Sequence, residues 1–179
     1  MDVRPIVKDA SEITSEWLTH ALRSSILKDS EAVTTSNWTP IGEGQGYSSS
    51  IYRINVEYSQ ENDLPRTFVL KLPVPHGKTR EAILDVGSYY KEARFYREIA
   101  PEIKLEIPKI YYVATDESDD CFNILMEDLG DIERPSFLEE IGIDDCKTAI
   151  RDIADFHAKW WNHSILESGW LQPVAVNLD

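Results

Sequence analysis

The stretch that decides the fold is IGEGQGYSSSIYRINVEY, from Ile41 to Tyr58, in which a glycine-rich turn precedes the pattern of a strand. After the turn, apolar and polar residues alternate with the two-residue period of a half-buried β-strand. The apolar positions are Tyr52, Ile54, Val56 and Tyr58. In a dinucleotide-binding fold or a P-loop, the glycines instead end a strand and open a helix whose N-terminal amides hold a phosphate. The sequence therefore predicts that the glycines connect two strands.

These glycines have two interpretations, a flexible hairpin turn and a loop that covers the phosphates of a nucleotide. The three positions are Gly42, Gly44 and Gly46. The next predicted strand, RTFVLKL, carries Lys71 among apolar neighbours. A buried ammonium group is costly unless an anion pairs with it. Lys71 therefore requires an acidic partner, unless it reaches water from the end of its strand.

A predicted helix supplies that partner. The stretch LDVGSYYKEARFYREIA, residues 84–100, has apolar residues at helical spacing, and Glu92 lies beside that stripe. The simpler alternative is a glutamate on a solvated helix face. Because a glycine hairpin, a lysine strand and a glutamate helix follow one another in order, we expect Lys71 and Glu92 to form an ion pair.

Two further strands are predicted, from Ile107 to Ala114 and from Cys121 to Leu129. The second, CFNILMEDL, places Phe122, Ile124 and Met126 on one face and then becomes polar. A short polar connector after a hydrophobic strand is suited to holding a purine base through backbone groups.

Five blocks carry a resemblance to a known group. The series IGEGQGYSSSIYRI, FVLKLP, YKEARFYREI, NILMEDLG and IADFHAKWW resembles the aminoglycoside phosphotransferase and choline kinase superfamily, within the protein-kinase-like fold. The closest resemblance is to the phosphotransferase group that includes ecdysteroid-kinase-like proteins, and it covers nearly the whole chain.

The resemblance implies a site for ATP and Mg²⁺. Gly42, Gly44 and Gly46 would form the phosphate-covering loop, Lys71 would contact the α- and β-phosphates, and Glu92 would hold Lys71. Backbone groups at the connector directly after the strand would bind adenine. The connector residues concerned are Met126, Glu127 and Leu129.

The sequence departs from this group in one respect. Its members carry a later His-Gly-Asp block, an Asn and a metal-binding Asp, of which the first Asp is the catalytic base. Here the four histidines are followed by Ala21, Gly77, Ala158 and Ser164, so no such block exists. We expect no catalytic residue and no metal ligand within these 179 residues, and we expect the chain alone to be inactive.

The predicted fold class is α+β, a protein-kinase-like N-lobe followed by the first helices of a truncated C-lobe. Residues 1–130 would form the nucleotide-binding lobe, with an N-terminal helix capped by Thr14 or Ser15 and about five antiparallel strands interrupted by one long αC-type helix. Residues 131–179 would form the connector and the first C-lobe helices, helical from about Ser136 and without the catalytic part.

Composition limits the partners. A net charge of −14 argues against nucleic acid, because affinity for it comes mainly from Lys and Arg neutralising phosphates. No stretch resembles a membrane span or a secretory signal, so the expected location is cytoplasmic. Cys121 and Cys146 lack the spacing of metal ligands and are expected to be free thiols.

Three local motifs have other interpretations. HGKT, from His76 to Thr79, resembles the end of a P-loop, but Leu72 occupies the position where that loop needs glycine. The acidic turn from Asp116 imitates a calcium loop, but Cys121 occupies the required glycine position. His157 lies in an apolar helical stripe and is expected to be a core histidine.

The sequence thus predicts the nucleotide-binding part of an ATP-dependent transferase, a kinase that phosphorylates a hydroxyl of a small molecule. The alternative is a degenerate, non-catalytic kinase lobe that senses nucleotide or binds a protein. The acceptor is left open among aminoglycosides, choline-like amines, sugars and sterols. A helix from Asp144 to Asn162 would expose Ile153, Trp160 or Trp161 and favour dimerisation.

Overall fold

The computed structural model describes residues 5–42, 49–75, 88–116, 121–130 and 141–171. The chain forms two compact units, one of Met1–Ala100 with Pro108–Asp128 and the other of Pro101–Ile107 with Leu129–Asp179. Gly44, Gly46, the HGKT motif, most of the acidic turn and residues 131–140 of the connector and its helical start lie outside the described residues.

The first unit is built on one five-stranded antiparallel sheet. Its described helices and strands are, in chain order, α1 (Ser15–Arg23), β1 (Val33–Pro40), β2 (Ser49–Tyr58), β3 (Thr67–Pro73), α2 (Ser88–Arg94), β4 (Ile110–Asp116) and β5 (Cys121–Glu127). The strand order across the sheet is β1-β2-β3-β5-β4. The predicted α+β class and the strand connection across the glycines are confirmed, since β1 and β2 pair as an antiparallel hairpin.

One face of this sheet packs against α1 and forms the larger core. The helix begins where the Thr14 side chain accepts a hydrogen bond from Trp17 N, which satisfies one of the unpaired N-terminal amides. Its buried stripe lies over the sheet and matches the predicted face: Trp17, Leu18, Ala21 and Leu22. The apolar positions of β2 and β3, including Ile54, face this core.

The opposite face carries a smaller apolar cluster against α2, formed by Ala93, Val113, Phe122, Ile124 and Met126. β5 lies between β3 and β4 and is buried on both faces, so its side chains do not divide into a solvent-exposed face and a buried face. β4 begins at Ile110, three residues later than expected, because Pro108 has no N–H to donate to a strand ladder. β5 ends at Glu127, two residues before the predicted boundary.

α2 is continued by a π-helical turn, Phe95–Ile99, and by a 3₁₀ turn, Ala100–Glu102. The predicted long helix therefore changes from α-helical to π-helical to 3₁₀ geometry within its described part. Residues 84–87, its predicted start, lie outside the described residues. Pro101, within the 3₁₀ turn, lacks the N–H that a continuing α-helix needs.

The second unit contains α3, Ile143–Trp160, and two short 3₁₀ turns, Ser164–Glu167 and Gly169–Leu171. The expectation of a core histidine is wrong, since His157 is exposed. Of the two tryptophans offered as alternatives for the exposed face, Trp160 is buried. Ile153 and Trp161 are exposed as predicted. Trp160 and the half-buried Phe156 line a pocket together with Ile103 and Leu105, whereas most of α3 is exposed.

Two remaining expectations concern cysteines and membranes. Cys121 and Cys146 are both free thiols. Across the described ranges, none of the helices combines the length and the apolar character that crossing a bilayer requires.

Candidate functional site

Lys71 and Glu92 form an ion pair on the sheet face opposite the larger core. Lys71 Nζ lies 2.5 Å from Glu92 Oε1. The two side chains are 19% and 32% exposed, so the pair is neither fully buried nor freely solvated. The expected contact is confirmed. The ammonium group of Lys71 is therefore held at the sheet face and remains partly accessible to solvent.

The sheet and α2 each fix one member of this pair. Lys71 lies in β3 between Ile51 of β2 and Ile124 of β5. Glu92 precedes Ala93, which is fully buried in the smaller cluster and lets α2 approach the sheet closely. Burial, followed by the nearby Glu92 carboxylate, raises the pKa of the Tyr96 phenol one helical turn later. Tyr96 therefore stays protonated beside the carboxylate at neutral pH.

The β1–β2 hairpin brings the start of the glycine segment to the same region. Ile41 N donates a hydrogen bond to Ile51 O, and Ile51 is in turn the direct neighbour of Lys71 on β3. Gly42 has φ of +71°, in the left-handed region that favours glycine. Of the three predicted loop glycines, the described residues include Gly42 alone, and it lies at the hairpin end near Lys71.

The connector residues are placed differently from one another. Met126 is buried and neighbours Val69 on β3. Glu127 N donates to Lys109 O at 2.7 Å, and its carboxylate accepts from Lys109 N at 3.0 Å. The N–H of Glu127 is therefore engaged within the sheet and is not offered to a ligand. Leu129 is exposed and belongs to the second unit.

A second ion pair at this end of the sheet was not anticipated. Arg53 Nε lies 2.9 Å from Asp128 Oδ2, and Arg53 Nη2 donates to Asp128 Oδ1 at 3.2 Å. The alternation of β2 had placed Arg53 among polar residues on the face away from the core. The indication available in the sequence was that Lys71, on the neighbouring strand, lies on the same face as Arg53.

Metal ligands do not cluster in the part of the chain that the structure describes: no group of three or more His, Cys, Asp or Glu side chains there could hold an ion. What the site offers is a positioned ammonium and the backbone of a strand end. These groups suit recognition of a phosphorylated, planar ligand, since a lysine binds phosphate as a point charge and backbone groups pair with base edges.

Comparison with models of known protein families places the chain in a family. The model of the ecdysteroid kinase-like family matches residues 43–160, about two thirds of the chain. No curated protein and no solved structure matches the chain. The matched range contains Lys71, Glu92, the whole of β5 and all of α3. This chain belongs to the ecdysteroid kinase-like family.

Proposed function

We propose that this chain binds Mg–ATP and forms the nucleotide-binding part of a phosphotransferase that acts on a hydroxyl group of a small molecule. The observation that carries the proposal is the Lys71–Glu92 ion pair at the end of the glycine hairpin. In kinases a lysine and glutamate in this relationship hold the α- and β-phosphates. Membership of the family supports kinase chemistry at the level of the family.

Each component has a defined task in this proposal. The amides of the glycine segment cover the phosphates, and Lys71 neutralises their charge while Glu92 keeps the lysine oriented. The carbonyl of Glu127 and the N–H of Leu129 pair with the adenine edge. This pairing does not use the Glu127 N–H, which is already bound to Lys109 O. Mg²⁺ would bridge the phosphate oxygens and supply positive charge to the transferring group.

The 179 residues contain no His-Gly-Asp sequence, so we propose that this polypeptide binds nucleotide without transferring phosphate. Phosphoryl transfer depends on a positioned base and metal as well as on nucleotide binding. Measurable ATP turnover by the purified chain that disappears in Lys71→Met would contradict this part of the proposal.

Nucleotide binding is tested by titrating the purified chain with Mg–ATP and following chemical-shift changes. Lys71→Met removes the phosphate cation and should weaken binding at least tenfold, or about 1.4 kcal/mol. Glu92→Gln should weaken it less, because the lysine charge remains. Gly44→Val should also weaken it, by obstructing close approach of the loop backbone.

Two lysines serve as controls. Lys28 is exposed after α1, and Lys28→Ala should leave Mg–ATP affinity unchanged. Lys78 lies in the HGKT motif, and loss of binding in Lys78→Ala with Lys71→Met unaffected would identify a P-loop and refute the proposed site.

A further inference from the structure

We propose that the Arg53–Asp128 ion pair positions the backbone of Glu127–Leu129, the connector at the end of β5, and thereby sets the preference of the site for adenine over other bases. Arg53 and Asp128 are positioning residues in this inference, which rests on the proposed nucleotide-binding function. The pair is formed by one hydrogen bond, from Arg53 Nη2 to Asp128 Oδ1 at 3.2 Å, and Arg53 Nε lies 2.9 Å from Asp128 Oδ2. A hydrogen bond between two charged groups is stronger than one between neutral groups, and it holds the two side chains together.

The pair joins strands that are not neighbours. Arg53 is on β2 and Asp128 directly follows β5, with β3 lying between these strands. Neighbouring strands are about 4.8 Å apart, so the contact bridges roughly 10 Å of sheet. Arginine is long enough to cross that width. The pair therefore fixes the chain leaving β5 to the hairpin strand.

Its burial distinguishes it from an ordinary surface ion pair. The Asp128 side chain is only 5% exposed, whereas Arg53 is 30% exposed. A carboxylate removed from water needs charged or hydrogen-bonding partners, and removing its cation is costly. Exposed pairs contribute little because water competes for both members. Arg53 thus contributes to holding the Asp128 carboxylate in place.

The register of the sheet places this pair where a base would lie. Arg53 neighbours Val69, and Val69 neighbours Met126, so these three residues form one row across the sheet. The row containing Lys71 is two residues away along the strands, or about 7 Å. A nucleotide whose phosphates contact Lys71 and whose base reaches the connector must extend from one row to the other.

Base preference follows from this arrangement. Adenine and guanine present opposite donor and acceptor patterns at the edge that backbone groups read. A fixed connector backbone matches one pattern, whereas a loosened one accepts both. Loss of the pair should therefore affect recognition of the base and leave contacts to the phosphates intact.

The test compares three magnesium-loaded probes, ATP, GTP and inorganic tripolyphosphate, on the full 179-residue chain. Arg53→Gln should weaken ATP binding about tenfold and shift the ATP-to-GTP affinity ratio towards one, with tripolyphosphate binding unchanged. Asp128→Asn should behave in the same way. The charge-swapped double variant Arg53→Asp with Asp128→Arg should recover part of the ATP preference.

Each other outcome has a defined meaning. ATP affinity and base preference within twofold of the parent chain in Arg53→Gln would overturn the inference, as would an equal loss of ATP and tripolyphosphate binding. If every variant of the pair failed to fold, the pair would be structural support only and the inference would also fall. A parent chain that binds neither ATP nor tripolyphosphate would refute the proposed function itself, whereas Lys71→Met losing both probes would support it.

Discussion

The side chain of Asn123 binds both backbone polar groups of Val7, although 116 residues separate them in sequence. Val7 N donates to Asn123 Oδ1 at 2.8 Å, and Asn123 Nδ2 donates to Val7 O at 2.7 Å. Asn123 is fully buried in β5, which lies between β3 and β4 in the sheet. One amide side chain therefore attaches the segment before α1 to an interior strand of the sheet.

Replacing Asn123 with Leu should destabilise the first unit by about 2–4 kcal/mol, because two buried backbone groups of Val7 lose their partners. The free energy of unfolding in urea, followed by circular dichroism, measures this change. Asn55→Leu is the matched control, since the Asn55 side chain bonds Asn37 at the surface. Equal effects of the two substitutions would contradict the anchoring role.

Lys71 and Glu92 could be paired from sequence because a lysine among apolar strand residues requires an anionic partner. A glycine hairpin, a lysine strand and a glutamate helix also follow one another in order, and Glu92 lies beside the apolar stripe of its helix. Arg53 and Asp128 could not be paired in this way. Their contact depends on β3 lying between β2 and β5, and the order of strands along the chain does not determine their order in a sheet.

α3 illustrates a different limit of sequence analysis. Its apolar residues fall on more than one side, and periodicity cannot decide which side is covered by the rest of the unit. Trp160 is buried, while Ile153, His157 and Trp161 are exposed. An apolar stripe indicates a helix reliably, but its burial depends on tertiary neighbours.

The Lys71–Glu92 pair should contribute measurably to stability as well as to the site. Its partial burial places it between exposed pairs, worth about 0–1 kcal/mol, and buried pairs, whose disruption costs about 3–5 kcal/mol. A double-mutant cycle with Lys71→Met and Glu92→Gln should give a coupling of about 1–2 kcal/mol. The exposed pair of Lys147 and Asp144 in α3 is the control and should give less than about 0.5 kcal/mol. Equal coupling energies would mean that burial does not strengthen the site pair.

Alkaline pH should destabilise the first unit through Tyr58. Burial raises the pKa of Tyr58 from 10.0 to about 12, with smaller effects from Arg66, which lowers it, and from Tyr111 and Glu31, which raise it. The folded state thus holds this proton more tightly than the unfolded chain does. The stabilisation is complete below pH 10 and is lost as the pH rises from about 10 to about 12.

Tyr58→Phe tests this pH dependence. The substitution removes the hydrogen bond from Tyr58 to Pro65 O, at a cost of about 1 kcal/mol near neutral pH. It should also flatten the loss of stability above pH 10, because the titrating group is absent. Unfolding in urea at pH 8 and at several values above pH 10 measures both effects. An unchanged alkaline slope would assign the loss to other groups.

Gly42 should resist substitution for conformational reasons. Its φ of +71° is strained for any residue with a side chain, while a Cβ at this position would meet no described atom within 4 Å. Gly42→Ala should therefore cost about 1 kcal/mol through backbone strain alone. Gly169→Ala is the control, because a Cβ there also meets nothing described and its φ is not positive. Equal costs for the two would contradict the conformational explanation.

The exposed apolar side of α3 should cause the 179-residue chain to self-associate. Ile143, Ile150, Ile153 and Trp161 are all large and at least half exposed, and Trp161 reaches 75%. Contiguous apolar patches of more than a few hundred Å² tend to become interfaces, because association removes them from water.

Sedimentation velocity over a range of concentrations should show a reversible increase in mass, and Ile150→Lys should weaken the association at least tenfold. Thr148→Lys adds the same charge two residues earlier, about 200° around the helix, and should leave the association unchanged. A chain that stays monomeric at high concentration, or that responds equally to both lysines, would exclude this side of α3 as the interface.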